Sequence, residues 1–576
     1  MKNNKYIVGL NLYHADSAAC IMRNNEVTFA IEEERLNRIK HWAGIPAEAL
    51  KKCLEYEKIN IEQVSGIAIN FNRWSNLVPK INYSLKNIFD LPFFINKLIN
   101  KEKRLSLNQQ FKSIFKNEKI PKLYFYDHHS CHHASSFYFS NQVNSLSISA
   151  DGFGDFVSTS ACEMSQNKIK NLLKIFFPHS LGIFYQAFTQ FLGFLNYGDE
   201  YKLMGLSAYG GDKFYSRLEN IINYKDNKFK LNLNYFTHHK KEISFNWNGS
   251  SPKISQLYNQ NLEKLFPEIS MSNFSQEHMD LAYSVQKKYE EILFKIIKSL
   301  SLNKKFENLC LSGGCAMNSL ANGRIIEYFK PKEIYVPASP GDSGGCIGAA
   351  VNCHIEKFGK EDFFVKNFYL GTSYDNKSIF DIINKKLSSS TYSINKLNDN
   401  EIIKTVAHKL SQNNIIGWFR GRMEWGPRAL GSRSILANPS GHNIKDLINL
   451  KIKRRESFRP FAPSILIEEV KNWFEIDKNV PFMSSVLKIK KEKRAIIPAV
   501  THVDGTGRLQ TVCRHDNKIY YDLIKYFGEI SGIPILLNTS FNENEPMVES
   551  PDQAIDCFLR TEMDILVIEN YIIERK

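Results

Sequence analysis

Residues 6–32 read YIVGLNLYHADSAACIMRNNEVTFAIE, and residues 146–175 read LSISADGFGDFVSTSACEMSQNKIKNLLKI. In the first stretch, residues 6–12 and 18–23 are short apolar runs on either side of a polar step. Asn24-Asn25 then turns the chain into a third run, 27–32. Runs 146–150, 156–163 and 169–175 repeat this plan. Asp151-Gly-Phe-Gly-Asp155 is expected to form the first turn and Ser165-Gln-Asn-Lys168 the second. Two such units in one chain predict a duplicated domain, the plan of nucleotide-binding α/β folds with two similar halves around a cleft.

Further along, apolar residues recur at helical spacing over 279–302, and a short strand at 308–311 runs into Ser312-Gly-Gly-Cys-Ala-Met-Asn318. A second strand at 331–336 leads to Pro337-Ala-Ser-Pro-Gly-Asp-Ser-Gly-Gly345 and a small-residue helix at 346–353. Strand, Gly-rich loop and helix in that order aim backbone N–H groups at an anion. Two of them point to a nucleotide or phosphate cleft. Past residue 366 the character changes, with basic residues beside glycines and prolines in 417–439 and 451–463. The expected domains are therefore 1–365 and 366–576. Asn- and Lys-rich stretches 71–120 and 212–275 read as insertions or lid elements.

With 576 residues, the chain has room for two to four domains. Its 43% hydrophobic and 23% charged residues exclude wholesale disorder. A net charge of +15 points to anionic partners: nucleic acid, lipid headgroups or phosphorylated small molecules. The ten cysteines contain no C-x-x-C pair, which argues against a disulfide scaffold or a Cys-based zinc site and for a reducing compartment. The first residues lack a long apolar region before a small-residue cleavage site, and no long uninterrupted apolar stretch follows. A cytoplasmic protein with no membrane partner is expected.

Asp127-His-His-Ser-Cys-His-His133 is the sharpest local signal. On a helix, His128 and His132 share one face and His129 and His133 another, so either pair could hold a divalent metal if carboxylates converge. Asp151 and Asp342, in glycine-flanked loops after strands, are suitable. Lys202, in Gly198-Asp-Glu-Tyr-Lys-Leu-Met-Gly205, could bind an anion. Arg420, Arg422, Arg428 and Arg433, then Lys453, Arg455 and Arg459, then Arg508, sit in Gly- and Pro-framed segments, and Asn538-Thr-Ser-Phe-Asn542 ends an apolar strand. Arginine forks match phosphate oxygens, and several together neutralise a triphosphate. Nucleic-acid binding is the alternative use of such charge, although aromatics are not interleaved as a single-strand platform needs.

Taken in order, these phrases resemble the O-carbamoyltransferase family of nodulation-factor and antibiotic carbamoyltransferases. They are His14-Ala-Asp-Ser-Ala18, Glu33-Glu-Arg35, Asp127–His132, Asp151–Asp155, Ser180-Leu-Gly182, Glu200–Gly205, Ser312–Asn318, Pro340–Gly344, Gly426-Pro-Arg-Ala-Leu-Gly431, Phe458-Arg-Pro-Phe-Ala-Pro463 and Asn538–Asn542. The set spans nearly the whole chain. His133, where the family usually has a small residue, keeps the register of the metal pair open.

The resemblance implies an α/β N-terminal domain of the actin-like ATPase superfamily, similar to the enzyme of tRNA threonylcarbamoyl transfer, and a YrdC-like C-terminal domain. It implies that the second joins carbamoyl phosphate and ATP into a carbamoyl adenylate, releasing pyrophosphate. The first would then pass the carbamoyl group to a hydroxyl of a sugar, oligosaccharide or secondary metabolite, releasing AMP. Carried over, His128, His132, Asp151 and Asp342 would hold Fe(II), or zinc, with Mg2+ accompanying ATP. His14 would take the acceptor proton, while Lys202, Gly313, Gly314 and Asn318 would face the nucleotide. Arg422, Arg428, Lys453, Arg455, Arg459 and Arg508 would bind phosphates, with Asn538 and Ser540 orienting the carbamoyl group. A threonylcarbamoyl-type tRNA enzyme and a basic nucleic-acid-binding protein are the alternatives. A hydrogenase-maturation carbamoyltransferase would need paired C-x-x-C motifs, which the chain lacks.

Overall fold

In the computed structural model, strand Tyr6–Asn11 lies third of five in a mixed sheet. It is flanked by antiparallel Ala18–Arg23 and parallel Gly66–Ile69. Glu26–Glu32 and Leu123–Phe125 form the edges. Residues 7–11 of this strand are buried on both faces, which is why it reads as a nearly continuous apolar run instead of an alternating one. The structure describes residues 4–86, 107–116, 118–166, 168–247, 251–269, 274–302, 306–441, 443–456 and 458–576. Parts of the insertions read at 71–120 and 212–275 lie outside these residues.

The second sheet repeats the first strand for strand. Asn144–Gly154 sits third, between antiparallel Val157–Ser165 and parallel Asn308–Ser312, with Ile169–Phe176 and Glu333–Tyr335 as edges. Both sheets thus show the same order and the same parallel and antiparallel pairs, so the internal duplication is a property of the fold. One detail differs from the sequence reading. Residues 151–154 belong to the strand and form a bulge between Ala150 and Gly154, and the turn falls at Asp155 and Phe156, both at positive φ. A bulge re-aims side chains without ending the strand. Helix Gly345–Phe358 packs against strand Tyr6–Asn11 and helix His128–Phe137, its Gly345, Gly348, Ala349 and Ala350 permitting close approach.

By packing, the chain divides into two units. The first comprises residues 1–34, 39–317 and 329–365, and the second 35–38, 318–328 and 366–576. The second is built on a nine-stranded mixed sheet. Near its middle Ile416–Phe419 pairs with Arg433–Ala437, which pairs with Ile535–Ser540, which pairs with Ala462–Leu466 and then Thr506–Val512. Among the described residues no helix is long and apolar enough to cross a membrane.

Candidate functional site

In the first unit the site grows from helix His128–Phe137, whose N-cap Asp127 accepts the Ser130 N–H at 3.0 Å. The structure resolves the two histidine pairs left open by the sequence. His129 is bonded to the Ser149 hydroxyl (2.8 Å) and the Val157 carbonyl (3.0 Å), and His133 to the hydroxyls of Ser147 (2.7 Å) and Ser160 (3.1 Å). Burial and the neighbouring imidazoles push both down to about 3, so these two are neutral structural rings.

His128 and His132 face the other way, towards Asp151 and Asp342, and one donor atom from each lies within 4.8 Å of all the others. The two Nε2 atoms are 3.0 Å apart. His132 Nε2 is 3.1 Å from Asp151 Oδ2 and 3.5 Å from Asp342 Oδ1, and His128 Nε2 is 3.4 Å from the latter. Ligand atoms around a first-row metal with bonds of about 2.1 Å lie about 3–3.5 Å apart, the spacing seen here. Asn70 supplies a further test of fit. Its carbonyl, which can only accept, lies 3.2 Å from His128 Nδ1. That backbone carbonyl places the proton on Nδ1 and turns the Nε2 lone pair inwards, as in an imidazole that binds a metal through its other nitrogen. Two imidazole nitrogens and two carboxylates aimed at one point fit a divalent cation. Burial opposes protonation of His128 and His132, yet the carboxylates outweigh it and raise both. Burial likewise opposes the charge on Asp151, but the two imidazoles hold its carboxyl well below the usual range.

The supporting residues are specific. Ser180, which caps helix Leu181–Phe191, donates to the Asp151 carbonyl at 2.9 Å. Asn70 Nδ2 donates to Asn11 Oδ1 and to the Asp342 carbonyl. Asp155 Oδ2 accepts the N–H groups of His128 and Asn72. A Cβ on Gly154 would stand 2.0 Å from the His128 ring, so only glycine lets the strand pass there. Gly313, at φ +81°, brings its loop onto Ala150, and a Cβ on Gly314 would lie 3.0 Å from Asp151 Oδ1. His14 Nδ1 is 3.7 Å from Asp342 Oδ2, and its ring is 5.3 Å from that of His128. Lys202 pairs with Asp199 at 3.0 Å.

In the second unit, loop 420–432 joins the central strands Ile416–Phe419 and Arg433–Ala437 and carries Arg428. Glu424 organises it: Oε1 accepts the backbone N–H groups of Leu430, Ser432 and Arg433. Arg35 donates to the Gly426 carbonyl at 3.3 Å. Sheet register pairs Ala462 with Asn538 and Ser464 with Gln510, which puts Arg508 at the level of Ala462. Burial lowers Arg508 well below the usual guanidinium range, and Arg428, Arg455 and Arg459 add to the effect. Among the described residues its Nε has no hydrogen-bond partner. A half-buried arginine beside three others wants an anion.

Other residues expected to bind ligand are engaged by the protein itself. Lys453 ends a π-helical turn, Ile448–Lys453, and its Nζ donates to the Asn542 side chain (2.7 Å) and to the carbonyls of Ser540 and Asn542. The Ser540 hydroxyl donates to Asn542 Oδ1. The Asn538 amide donates to the Ala429 carbonyl and Gln510 Oε1, beneath the arginine loop. Arg422 donates to the carbonyls of Leu370 and Gly371. Arg455 donates to Asn449 Oδ1, Arg459 to Glu456, and Asn318 Oδ1 accepts the Ala321 N–H. Asn70, Asn11, Glu424, Ser464 and Gln510 escaped the sequence reading. Glu424 stands in the Arg-rich phrase and was open to notice, whereas Asn70 carries no local signal.

Two family models match the chain: Carbamoyltransferase N-terminus over residues 6–351 and Carbamoyltransferase C-terminus over 407–575. An uncharacterized protein of Synechocystis sp., sll1178, is 34% identical over 99% of this chain and 97% of its own length. Nodulation protein NolNO of Sinorhizobium fredii is 32% identical over 98% of this chain and 80% of its own. Full-length HypF, solved in a phosphate- and nucleotide-bound form, is 12% identical over 63% of this chain and 57% of that one. Its TM-score of 0.31 is too low to bear on the fold.

Proposed function

The chain belongs to the carbamoyltransferase family and is an enzyme of carbamoyl transfer, and from that premise we propose an ATP-dependent O-carbamoyltransferase working in two steps. Residues 366–576 are assigned the first step, on a YrdC-like domain, and residues 1–365 the second, on an actin-like ATPase domain whose repeated five-stranded sheets support the assignment. Carbamoyl phosphate, water and ATP give carbamoyl adenylate, pyrophosphate and phosphate. Water bonds to the phosphorus of carbamoyl phosphate and the bond from that phosphorus to the carbamoyl oxygen breaks, giving carbamate and phosphate. A carbamate oxygen then bonds to the α-phosphorus of ATP, the bond from that phosphorus to the bridging oxygen breaks, and pyrophosphate leaves.

The grouping of Arg428, Arg455 and Arg459 around half-buried Arg508 carries this reading. These forks neutralise the reacting phosphates, with Arg455 and Arg459 oriented by their bonds to Asn449 and Glu456. Lys453, Asn538 and Arg422 serve by holding the backbone around them, and Ser540 presents the end of its strand.

In the second step the acceptor hydroxyl oxygen bonds to the carbamoyl carbon and AMP leaves. His14, partly exposed beside Asp342, takes the hydroxyl proton. His128, His132, Asp151 and Asp342 would hold the metal, Fe(II) or zinc, and once bound it supplies Lewis acidity to oxygens of the transferring group. The Gly313-Gly314 loop and Lys202 are assigned to the nucleotide side. The acceptor is a sugar, oligosaccharide or secondary metabolite. A cytoplasmic setting fits ten free cysteines.

Pyrophosphate release by the full-length protein tests the first step. Release should require ATP, Mg2+ and carbamoyl phosphate together, and Arg508→Ala should lower it about 100-fold, as lost charged hydrogen bonds worth about 3 kcal/mol would. Folded wild-type protein giving no carbamoyl-phosphate-dependent release would overturn the reading. Metal analysis tests the other site: His128→Ala/His132→Ala should strip the bound metal, and unchanged content would move the site elsewhere.

A further inference from the structure

Helix Leu77–Lys86 turns its apolar side outwards. Val78 is 68% exposed, Leu85 63% and Ile81 54%, Leu77 is exposed beside them, and Trp74 just before the helix is 64% exposed. At 3.6 residues per turn Leu77, Ile81, Leu85 and Val78 fall within an arc of about 100°. Tyr83 projects from the opposite side. Its ring packs 5.2 Å from Phe177 and 5.8 Å from Phe156, which fixes the helix to the domain by its other face. Asn76, at the helix entry, adds bonds to Asp127 Oδ2 and the Asp155 carbonyl. The outward stripe therefore follows from how the helix is anchored.

Charge identifies the occupant. The sequence from 71 to 86 contains Arg73, Lys80 and Lys86 and no acidic residue. The Arg73 guanidinium lies 5.0 Å over the Trp74 ring. Lys80 Nζ is held beside the stripe by the carbonyls of Arg73 and Ser75. An exposed stripe of Leu, Ile and Val with a tryptophan at its margin and Arg73 and Lys80 beside it is the pattern of a helix lying in a lipid interface. A second copy of this chain fits poorly, because two-fold pairing of the face would bring its cations together. We propose that this face docks the protein peripherally on an anionic lipid bilayer. The surface runs counter to the expectation of no membrane partner, which rested on the lack of a spanning segment.

Co-sedimentation of the full-length protein with extruded vesicles tests the proposal, with phosphatidylcholine alone compared against phosphatidylcholine and phosphatidylglycerol mixed. Binding is expected to the mixed vesicles, to weaken with added salt, and to fall at least about tenfold in Val78→Asp/Ile81→Asp. Both sites are exposed, so the variant should keep the wild-type far-ultraviolet dichroism and thermal midpoint. No binding to either vesicle, or equal binding by the variant, would overturn the proposal. So would a concentration-dependent dimer that the substitutions abolish, which would assign the face to a second copy.

Discussion

The Asn70 side chain donates to Asn11 and to the backbone carbonyl of Asp342, while its backbone carbonyl faces His128 Nδ1, so one residue steadies two of the four metal-facing side chains, Asp342 through its amide and His128 through its main chain. Replacing it removes no ligand and should still loosen the site. Asn70→Ala leaves the backbone carbonyl at His128 in place but frees the Asp342 main chain, and should retain metal about tenfold less tightly after dialysis against a graded chelator series. Unchanged retention would reduce Asn70 to a packing residue. At this scale the sequence displayed His128, His132, Asp151 and Asp342 through composition and spacing. It could not choose between His128/His132 and His129/His133, because both pairs lie at helical spacing. Ser147, Ser149 and Ser160, which occupy the rings of His129 and His133, come from other strands.

Loop 420–432 is held from within by one carboxylate. Glu424 Oε1 receives three backbone N–H groups, and Gln510 and Asn538 brace the Leu430 and Ala429 carbonyls from below. Glu424→Gln keeps an acceptor but loses the charge that strengthens those bonds, about 2 kcal/mol over the three. The expected outcome is a KM for carbamoyl phosphate raised about tenfold or more, with the thermal midpoint nearly kept, because the loop is displaced while the strands stay paired. A lowered kcat with unchanged KM would place Glu424 in the chemistry instead. The Arg- and Gly-rich phrase pointed to an anion site, and the family resemblance added Lys453 and Asn538, which the structure shows hydrogen-bonded to Ser540, Asn542, Ala429 and Gln510. A sequence shows a side chain's charge and hydrogen-bonding capacity, but not which neighbours have already satisfied it.

Across the whole chain, half-buried histidines outside the metal group tie stability to pH. His179 and His502 are each held down to about 4. Burial is the main cause for both; Lys230 adds to it for His179, and for His502 Asp504 opposes it while Arg508 and Lys445 add to it. Between pH 6.5 and about 4 the unfolded chain takes up protons that the folded one excludes. Stability is therefore full above that window and falls as pH falls through it. His502→Gln should make the urea-measured decline shallower, by at most about 1.4 kcal/mol per pH unit, and parallel declines in variant and wild type would remove the assignment. The amino-acid sequence by itself determined the α/β character, the doubled strand plan, the carbamoyltransferase family and the chemical kinds of both sites. Periodicity, turn residues and ordered motifs are local properties of a chain. The tertiary structure alone decided the bulge at 151–154, the histidine pair that meets Asp151 and Asp342, and the Arg508 cluster. It also decided the hydrogen bonds that engage Lys453 and Asn538. Those outcomes depend on sheet register and burial, which bring together atoms hundreds of residues apart and are not written in any one segment.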